Sequence, residues 1–257
     1  MHRNYCKADV YIGKKKNMDK KYTPSDIELL NRQFADQNPQ ELLRHFMLRY
    51  GTRIALSSSL GMEDQVLTDM MLRIDRNARI FTLDTGRLFP ETYQLMDSTN
   101  LHYNIKMEVF VPQTEALQRI LREEGVNFFY ESLEKRHLCC QIRKLEPLSR
   151  AFGTLDAWVC GLRRSQSVTR GDMRKIEWDE KHGLLKINPL IDWTEEMCRE
   201  YVRENQVPYN KLHDQAYPSI GCQPCTRAVR PGEDIRSGRW WWENPEHREC
   251  GLHSREG

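Results

Sequence analysis

A chain of 257 residues can bury one substantial core, or one core with an elaborated tail, and is short for a second full domain. Its 39% hydrophobic and 30% charged residues describe a globular chain with a well-charged surface, not a disordered one, and a net charge of +2 gives no ground for nucleic acid as the main partner. No apolar run reaches the length of a membrane span, and Met1 to Lys21 has no apolar stretch behind its Lys and Arg. The expected location is therefore the cytoplasm, with no membrane contact, where eight cysteines point to metal and redox chemistry and not to a disulfide framework.

Residues 1–22, with Lys14-Lys15-Lys16 and Lys20-Lys21, read as a mobile leader. Thr23-Pro24-Ser25-Asp26 then starts a helix with Ile27, Leu30 and Phe34 on one stripe, and Pro39 opens a second through Leu42, Leu43 and Phe46. Ile54-Ala55-Leu56 predicts a short buried strand, followed by the loop Ser57-Ser58-Ser59-Leu60-Gly61 and a helix carrying Val66, Leu67, Met70 and Met71. Next come a strand over Arg79 to Leu83, an exit turn at Asp84-Thr85-Gly86, and a helix from Pro90 to Met96. Ile105 to Val111 reads as a strand, Thr114 to Glu124 as a helix ended by Gly125, and Ala157 to Gly161 as a strand after the helix that carries Cys139, Cys140 and Lys144. Such alternation predicts an α/β fold, a mostly parallel twisted sheet flanked by helices, with ligands at the carboxyl ends of the strands. Those ends carry Ser57 to Gly61, Asp84 to Gly86 and Gly161 to Ser167. After Cys225, Pro231-Gly232 breaks the pattern, and the Trp-rich remainder reads as an arm lying over the core or reaching away from it.

Chemistry concentrates in the cysteines. Cys139-Cys140 and Cys222-Gln223-Pro224-Cys225 form two pairs, and Cys250 stands alone in Glu249-Cys250-Gly251-Leu252-His253. A single zinc ion needs its thiolates to converge on one tetrahedral point, whereas consecutive helical residues project about 100° apart. Four separate irons can each take one thiolate, so the two pairs together read as the ligands of a 4Fe-4S cluster, one per subunit. Buried structural cysteines, half a zinc knuckle or a redox dithiol are the alternatives for either pair alone. Cys6, Cys160 and Cys198 carry no such pattern.

Two loops invite an anion. Ser57-Ser58-Ser59-Leu60-Gly61 would offer hydroxyls and backbone N–H groups at a helix N-terminus, although ordinary capping explains such a turn equally well and the Gly-Lys-Ser/Thr ending of a Walker loop is absent. Gly161-Leu162-Arg163-Arg164-Ser165-Gln166-Ser167, followed by Arg170, gathers guanidinium groups that suit phosphate or sulfate, against the alternative of a solvated basic loop. In the tail, Arg236 and Arg239 precede Trp240-Trp241-Trp242, with Cys250 and His253 beyond. A cation beside Cys250 would favour the nucleophilic thiolate, and with no partner cysteine at close spacing any adduct on it needs an outside thiol for reduction.

From about Thr23 onward the chain resembles the assimilatory adenylyl-sulfate and phosphoadenylyl-sulfate reductases. The residues that carry the resemblance are the serine loop ending in Gly61-Met62-Glu63-Asp64, Leu83-Asp84-Thr85-Gly86, the two cysteine pairs, Gly161 to Ser167 and the terminal Glu-Cys-Gly-Leu-His. Leu60 and Met62 stand where that family often has smaller residues. The resemblance implies an adenine nucleotide alpha-hydrolase-like fold, with a reductase core over 23–230 and a catalytic tail over 231–257. It further implies that Cys250 attacks the sulfur of adenylyl sulfate, that AMP leaves, and that thioredoxin or a similar dithiol protein releases sulfite. Arg170, Arg236, Arg239 and His253 would neutralise the phosphosulfate, Leu83 and Thr85 would touch the nucleotide, and Lys144 would bridge cluster and substrate. Ser57, Ser58, Ser59, Gly61, Gly161 and Arg164 complete the expected substrate site. Relatives with the four extra cysteines generally resemble the adenylyl-sulfate type. A phosphoadenylyl-sulfate or dual-substrate reductase is the runner-up, and a homo-oligomer is compatible with the sequence. An ATP-dependent tRNA sulfur transferase would need a Ser-Gly-Gly-x-Asp-Ser loop that is absent, and a non-enzymatic iron–sulfur sensor would leave Cys250 without a role.

Overall fold

The computed structural model describes residues 21–166 and 171–244. Two local rules place its first helices. In α1 (Pro24–Gln33) the Thr23 hydroxyl accepts the Asp26 N–H at 3.2 Å while the Asp26 carboxylate accepts the Thr23 N–H at 3.0 Å, and in α2 (Pro39–Tyr50) Asn38 and Glu41 repeat that reciprocal capping. A proline in the first turn of each costs no hydrogen bond, because that N–H has no partner within the helix. Tyr22, assigned to the leader from sequence, belongs to the core: it is buried, its hydroxyl lies 2.8 Å from that of Tyr50, and its ring packs on Trp178.

The sheet has six strands in the order β3-β2-β1-β4-β6-β5. β1 (Ile54–Ser58), β2 (Arg79–Leu83), β3 (Glu108–Phe110), β4 (Ala157–Val159) and β6 (Leu184–Ile187) are parallel, and β5 (Ile176–Asp179) closes one edge antiparallel to β6. Alternation along β1 divides the core between the two faces. Ile54 and Leu56 join Ala157 and Val159 under α2, α3 (Met62–Ile74) and α8 (Glu195–Glu204), while Ala55 joins Phe81 and Trp158 against α7 (Glu146–Phe152). Connections run through α3, α4 (Pro90–Tyr103) and α5 (Thr114–Glu124).

Several boundaries differ from the sequence reading. β1 continues through Ser57 and Ser58, so only Ser59 to Gly61 form the loop, and α4 continues to Tyr103, where Asn104 ends it in the left-handed region at φ 52°. The strand expected over Ile105 to Val111 pairs only at Glu108–Phe110. The β5–β6 hairpin was not anticipated, because its charged residues masked the alternation of Ile176 and Trp178 with polar neighbours.

The cysteine helix α6 (Leu133–Cys140) does not pass directly into α7. A π-helical turn over Gln141–Leu145 separates them, with the Glu146 N–H bonding the Gln141 carbonyl. Pro147 supplies the reason: it has no N–H to donate to the Arg143 carbonyl, and its ring crowds that carbonyl. Arg143 and Lys144 therefore leave the helix on a widened turn directly after the cysteines. No helix among the described residues is long and apolar enough to cross a membrane.

Candidate active site

Order β3-β2-β1-β4 reverses direction between β1 and β4, and a crevice at such a point lies beyond the strand carboxyl ends. A cavity of about 210 Å³ occupies this place. Ser57, Ser58, Ser59, Gly61, Thr82 and Leu83 line one side, Gly161 to Arg163 another, and Pro218 to Cys222 with Arg236, Arg239 and Trp240 close over it. Lys144, Glu63, Glu195 and His213 also face it.

Asp64 holds the mouth of this cavity together. Its Oδ2 accepts the Ser59 N–H and hydroxyl, both at 2.7 Å, and its Oδ1 accepts the Gly161 N–H at 3.1 Å. The loop after β1 is thereby tied to the end of β4 through the first turn of α3. Gly161 is required for this approach, since a Cβ there would overlap Asp64 Oδ1. Leu60, between the tied residues, is buried at φ 61°, and its N–H is taken by Ser58 Oγ at 3.1 Å. The serine loop thus spends these donors within the chain, and the anion at the N-terminus of α3 is Asp64 itself. Its carboxyl is pushed up to about 6, chiefly by burial, against the pull of the Ser59 and Gly161 hydrogen bonds.

Charge divides the cavity. Glu63 pairs with the buried Arg163 at 2.7 Å, and Glu195 lies 2.8 Å from Arg199, so these carboxylates and guanidinium groups satisfy one another. Arg239 differs: it is buried, has no carboxylate partner among the described residues, and makes only contacts of 3.4 and 3.5 Å to Ser219 Oγ and the Ile220 carbonyl. Its Nε has no hydrogen-bond partner among the described residues. Leaving a buried cation so poorly compensated is costly, and an anionic ligand removes the cost. The guanidinium lies 4.5 Å from the centroid of the Trp240 ring, over which the Arg136 guanidinium also lies at 4.9 Å. Arg136 is itself held by Glu243 through two 2.8 Å bonds in a buried pair.

Beside this stack Cys139, Cys140, Cys222 and Cys225 line one small cavity, together with Arg87, Phe129, Arg136, Arg143, Lys144 and Pro224. Thr85 Oγ1 lies 3.2 Å from Cys222 Sγ, and the Trp240 indole, packed with Cys139, Cys222 and Cys225, has a buried Nε1–H with no acceptor. Burial raises the Cys225 thiol, and the neighbouring Cys222 and Cys140 sulfurs raise it further. Among the described residues no three Cys, His, Asp or Glu side chains are arranged to hold a single metal ion. Four thiols sharing a wall, a donor lacking an acceptor and surrounding guanidinium groups suit a cluster whose sulfides accept hydrogen bonds and whose thiolates carry negative charge.

The structure redistributes several expected site residues. Ser57, Ser58, Ser59, Gly61, Leu83, Lys144, Gly161, Arg236 and Arg239 come together at the cavity. Arg164 does not: it turns away to Asp192 and the Met173 carbonyl, and its neighbour Arg163 takes the cavity wall. Thr85 is fully buried beside Cys222, its carbonyl accepts Arg143 Nη1 at 2.6 Å, and it is not among the residues that line the larger cavity. Ser167, Arg170, Cys250 and His253 lie outside the described residues. His213, Glu63 and Ser219 to Gly221 were not singled out as ligand contacts. The small-residue run before Cys222 was the available clue to the last of these.

Because folded Asp64 keeps its proton to higher pH than the unfolded chain does, its protonation favours stability at low pH. That contribution is full below about pH 4 and is lost as pH rises through 6. The melting temperature of the wild type minus that of Asp64→Asn should therefore fall between pH 4 and 7. A constant difference across that range would show that Asp64 titrates as an ordinary carboxylate.

Residues 53–228 match the phosphoadenosine phosphosulfate reductase domain. The chain is 52% identical over 203 residues to the adenosine 5′-phosphosulfate reductase of Allochromatium vinosum, covering 79% of each chain. It is 42% identical over 237 residues to that of Pseudomonas aeruginosa, covering 90% of this chain and 88% of the other. Among solved structures it is similar to the phosphoadenylyl-sulfate reductase of Candida auris in a phosphate complex, with a TM-score of 0.70 and 27% identity over 81% of this chain and 98% of that one. With its parallel sheet, its cavity at the β1/β4 switch point and a family match over most of its length, the chain belongs to the adenylyl-sulfate and phosphoadenylyl-sulfate reductase family.

Proposed function

We propose that this protein reduces adenylyl sulfate to sulfite and AMP, taking its electrons from thioredoxin or a similar dithiol protein, as a step of sulfate assimilation toward cysteine. The observation that carries this reading is Arg239, a buried guanidinium without a carboxylate partner among the described residues, set between a nucleotide-sized cavity and four clustered cysteines. Relatives about half identical to this chain carry the adenylyl-sulfate reductase name, which favours that substrate over its 3′-phosphorylated form.

In the reaction, the Cys250 thiolate attacks the sulfur of the sulfate group. The bond from that sulfur to the bridging phosphate oxygen breaks, AMP leaves, and an S-sulfocysteine remains. A thiolate of the reductant attacks Cys250 Sγ and sulfite departs with the electron pair of the S–S bond. The second reductant thiol then closes a disulfide and returns Cys250 to the thiol. Sulfur gains two electrons and the dithiol loses two. Arg239 and Arg236 bind the phosphosulfate, with Lys144 between it and the cysteine site, and Arg170 and His253 complete the anion contacts. A 4Fe-4S cluster held by Cys139, Cys140, Cys222 and Cys225 would supply fixed charge and structural order beside the anion, the electrons coming from the dithiol.

Anaerobically purified protein should be brown, and Cys139→Ser or Cys222→Ser should bleach it, since each iron has one protein ligand to lose. Colourless wild type with stoichiometric zinc would overturn the cluster.

Arg239→Ala removes a charge-assisted hydrogen bond on the order of 1.5 to 3 kcal/mol, so adenylyl sulfate should bind roughly ten- to hundredfold more weakly with the colour retained. Gly221→Ala should act in the same direction, because its Cβ would meet the mobile end of Arg239 before any backbone. Unchanged affinity in both variants would remove Arg239 from the site.

Incubation with adenylyl sulfate and no reductant should add one SO₃ to the peptide containing Cys250, with about one AMP released per site. Thioredoxin should discharge it as sulfite. An adduct on another cysteine, or normal sulfite release by Cys250→Ser, would refute the mechanism, and comparing rates with the 3′-phosphorylated nucleotide decides between the two substrates.

A further inference from the structure

His213 faces the same cavity and has no place in the sulfur chemistry. It sits on a short turn, Lys211–Gln215, that is fixed from several directions. The Asn210 carboxamide accepts the Leu212 N–H at 3.0 Å and donates to Thr92 Oγ1 at 3.1 Å, and Ala216 reverses the chain at φ 64°. That reversal brings the Tyr217 carbonyl to 2.9 Å from His213 Nδ1. A carbonyl oxygen can only accept, so Nδ1 must carry the proton.

The tautomer decides what the ring offers to the cavity. Burial lowers the imidazole pKa, so the ring is neutral at pH 7 and its Nε2 is a bare lone pair. That Nε2 is buried and has no hydrogen-bond partner in the described structure. A buried acceptor left empty is destabilising unless a ligand fills it. The charges acting most strongly on the ring are Glu63, Arg199 and Glu195. Glu63 and Glu195 are held by Arg163 and Arg199, so these groups leave no free cation here for a phosphate or sulfate, and the empty acceptor suits a neutral group bearing O–H or N–H.

Building on the nucleotide reading above, we propose that His213 is a substrate contact whose Nε2 accepts a hydrogen bond from the nucleoside half of the ligand, either a ribose hydroxyl or the adenine 6-amino group. The contact selects for that donor: a nucleotide lacking it leaves Nε2 empty and buried. Arg239 reads the anion and His213 reads the nucleoside, so the two ends of the cavity check different halves of one molecule.

The test uses the full-length protein and AMP, which carries no sulfate and requires no reductant. Dissociation constants are measured for AMP, 2′-deoxy-AMP, 3′-deoxy-AMP and purine riboside monophosphate, which lacks the 6-amino group. Against wild type, one of the three analogues should bind roughly tenfold or more weakly than AMP. In His213→Ala that analogue and AMP should bind alike. His213→Gln, which returns an acceptor near the Nε2 position, should restore part of the discrimination. Independently of any variant, ¹⁵N-histidine spectra of the wild type should show a protonated Nδ1 and an unprotonated Nε2 for His213, with AMP shifting Nε2 and leaving Nδ1 in place. Ratios unchanged in His213→Ala, or an Nε2 resonance indifferent to AMP that nevertheless binds, would overturn the contact alone. Failure of both AMP and adenylyl sulfate to bind wild type would overturn the nucleotide reading and the contact with it.

Discussion

A carboxylate kept out of water at the strand ends organises this molecule. Asp64 draws three donors from two segments, Ser59 and Gly161, that are far apart in sequence and meet only because β1 and β4 are neighbours. Without those donors a fully buried Asp would stay protonated well above its usual range. With them its pKa reaches only about 6, so it is ionised at neutral pH. The same bonds hold two adjacent parts of the cavity lining together, because Ser59 and Gly161 both line it. Leu60, in the left-handed region between tied residues, is a strain that the Asp64 bonds and a fully buried side chain offset.

A second arrangement joins the cavity to the cysteines. Two guanidinium groups stack on Trp240, and among the described residues a carboxylate neutralises one of them: Glu243 pairs with Arg136, while Arg239 has no carboxylate partner. Removing one partner of a buried pair such as Arg136–Glu243 typically costs about 3 to 5 kcal/mol. Arg136 belongs to α6, which carries Cys139 and Cys140, and Glu243 belongs to the segment after Pro231-Gly232. Residues 231–244 are consequently packed onto the cysteine helix, with the Trp240 N–H bonded to the Cys225 carbonyl at 3.1 Å. Whatever orders the cysteines also orders the platform under Arg239.

The polarity of the cavity follows from which charges are already paired. Arg163 and Glu63 cancel, Glu195 is held by Arg199, and His213 is locked as a neutral acceptor, so this region offers no uncompensated positive charge. Arg239, which has no carboxylate partner among the described residues, stacks instead on Trp240, whose cluster includes the cysteines. A nucleotide with a neutral nucleoside and an anionic end matches that division in one orientation.

Local chemistry in the sequence was enough for the helix starts at Thr23 and Pro39, the alternation of strands and helices, and the grouping of Cys139 and Cys140 with Cys222 and Cys225. These depend on neighbours within a few residues, where capping and periodicity act. Which of two adjacent arginines lines the cavity was not local: Arg163 is claimed by Glu63, 100 residues away, and Arg164 by Asp192. Thr85 became a neighbour of Cys222 for the same reason, since the approach spans 137 residues. The tautomer of His213 depends on a carbonyl brought round by Ala216 at positive φ, and the Arg136 contact with Trp240 depends on helix α6 meeting a segment 107 residues later. Sequence determined the chemical groups and the fold that carries them. Tertiary structure decided which charges cancel, because pairing depends on distance in space and the chain sets that distance only when it is folded.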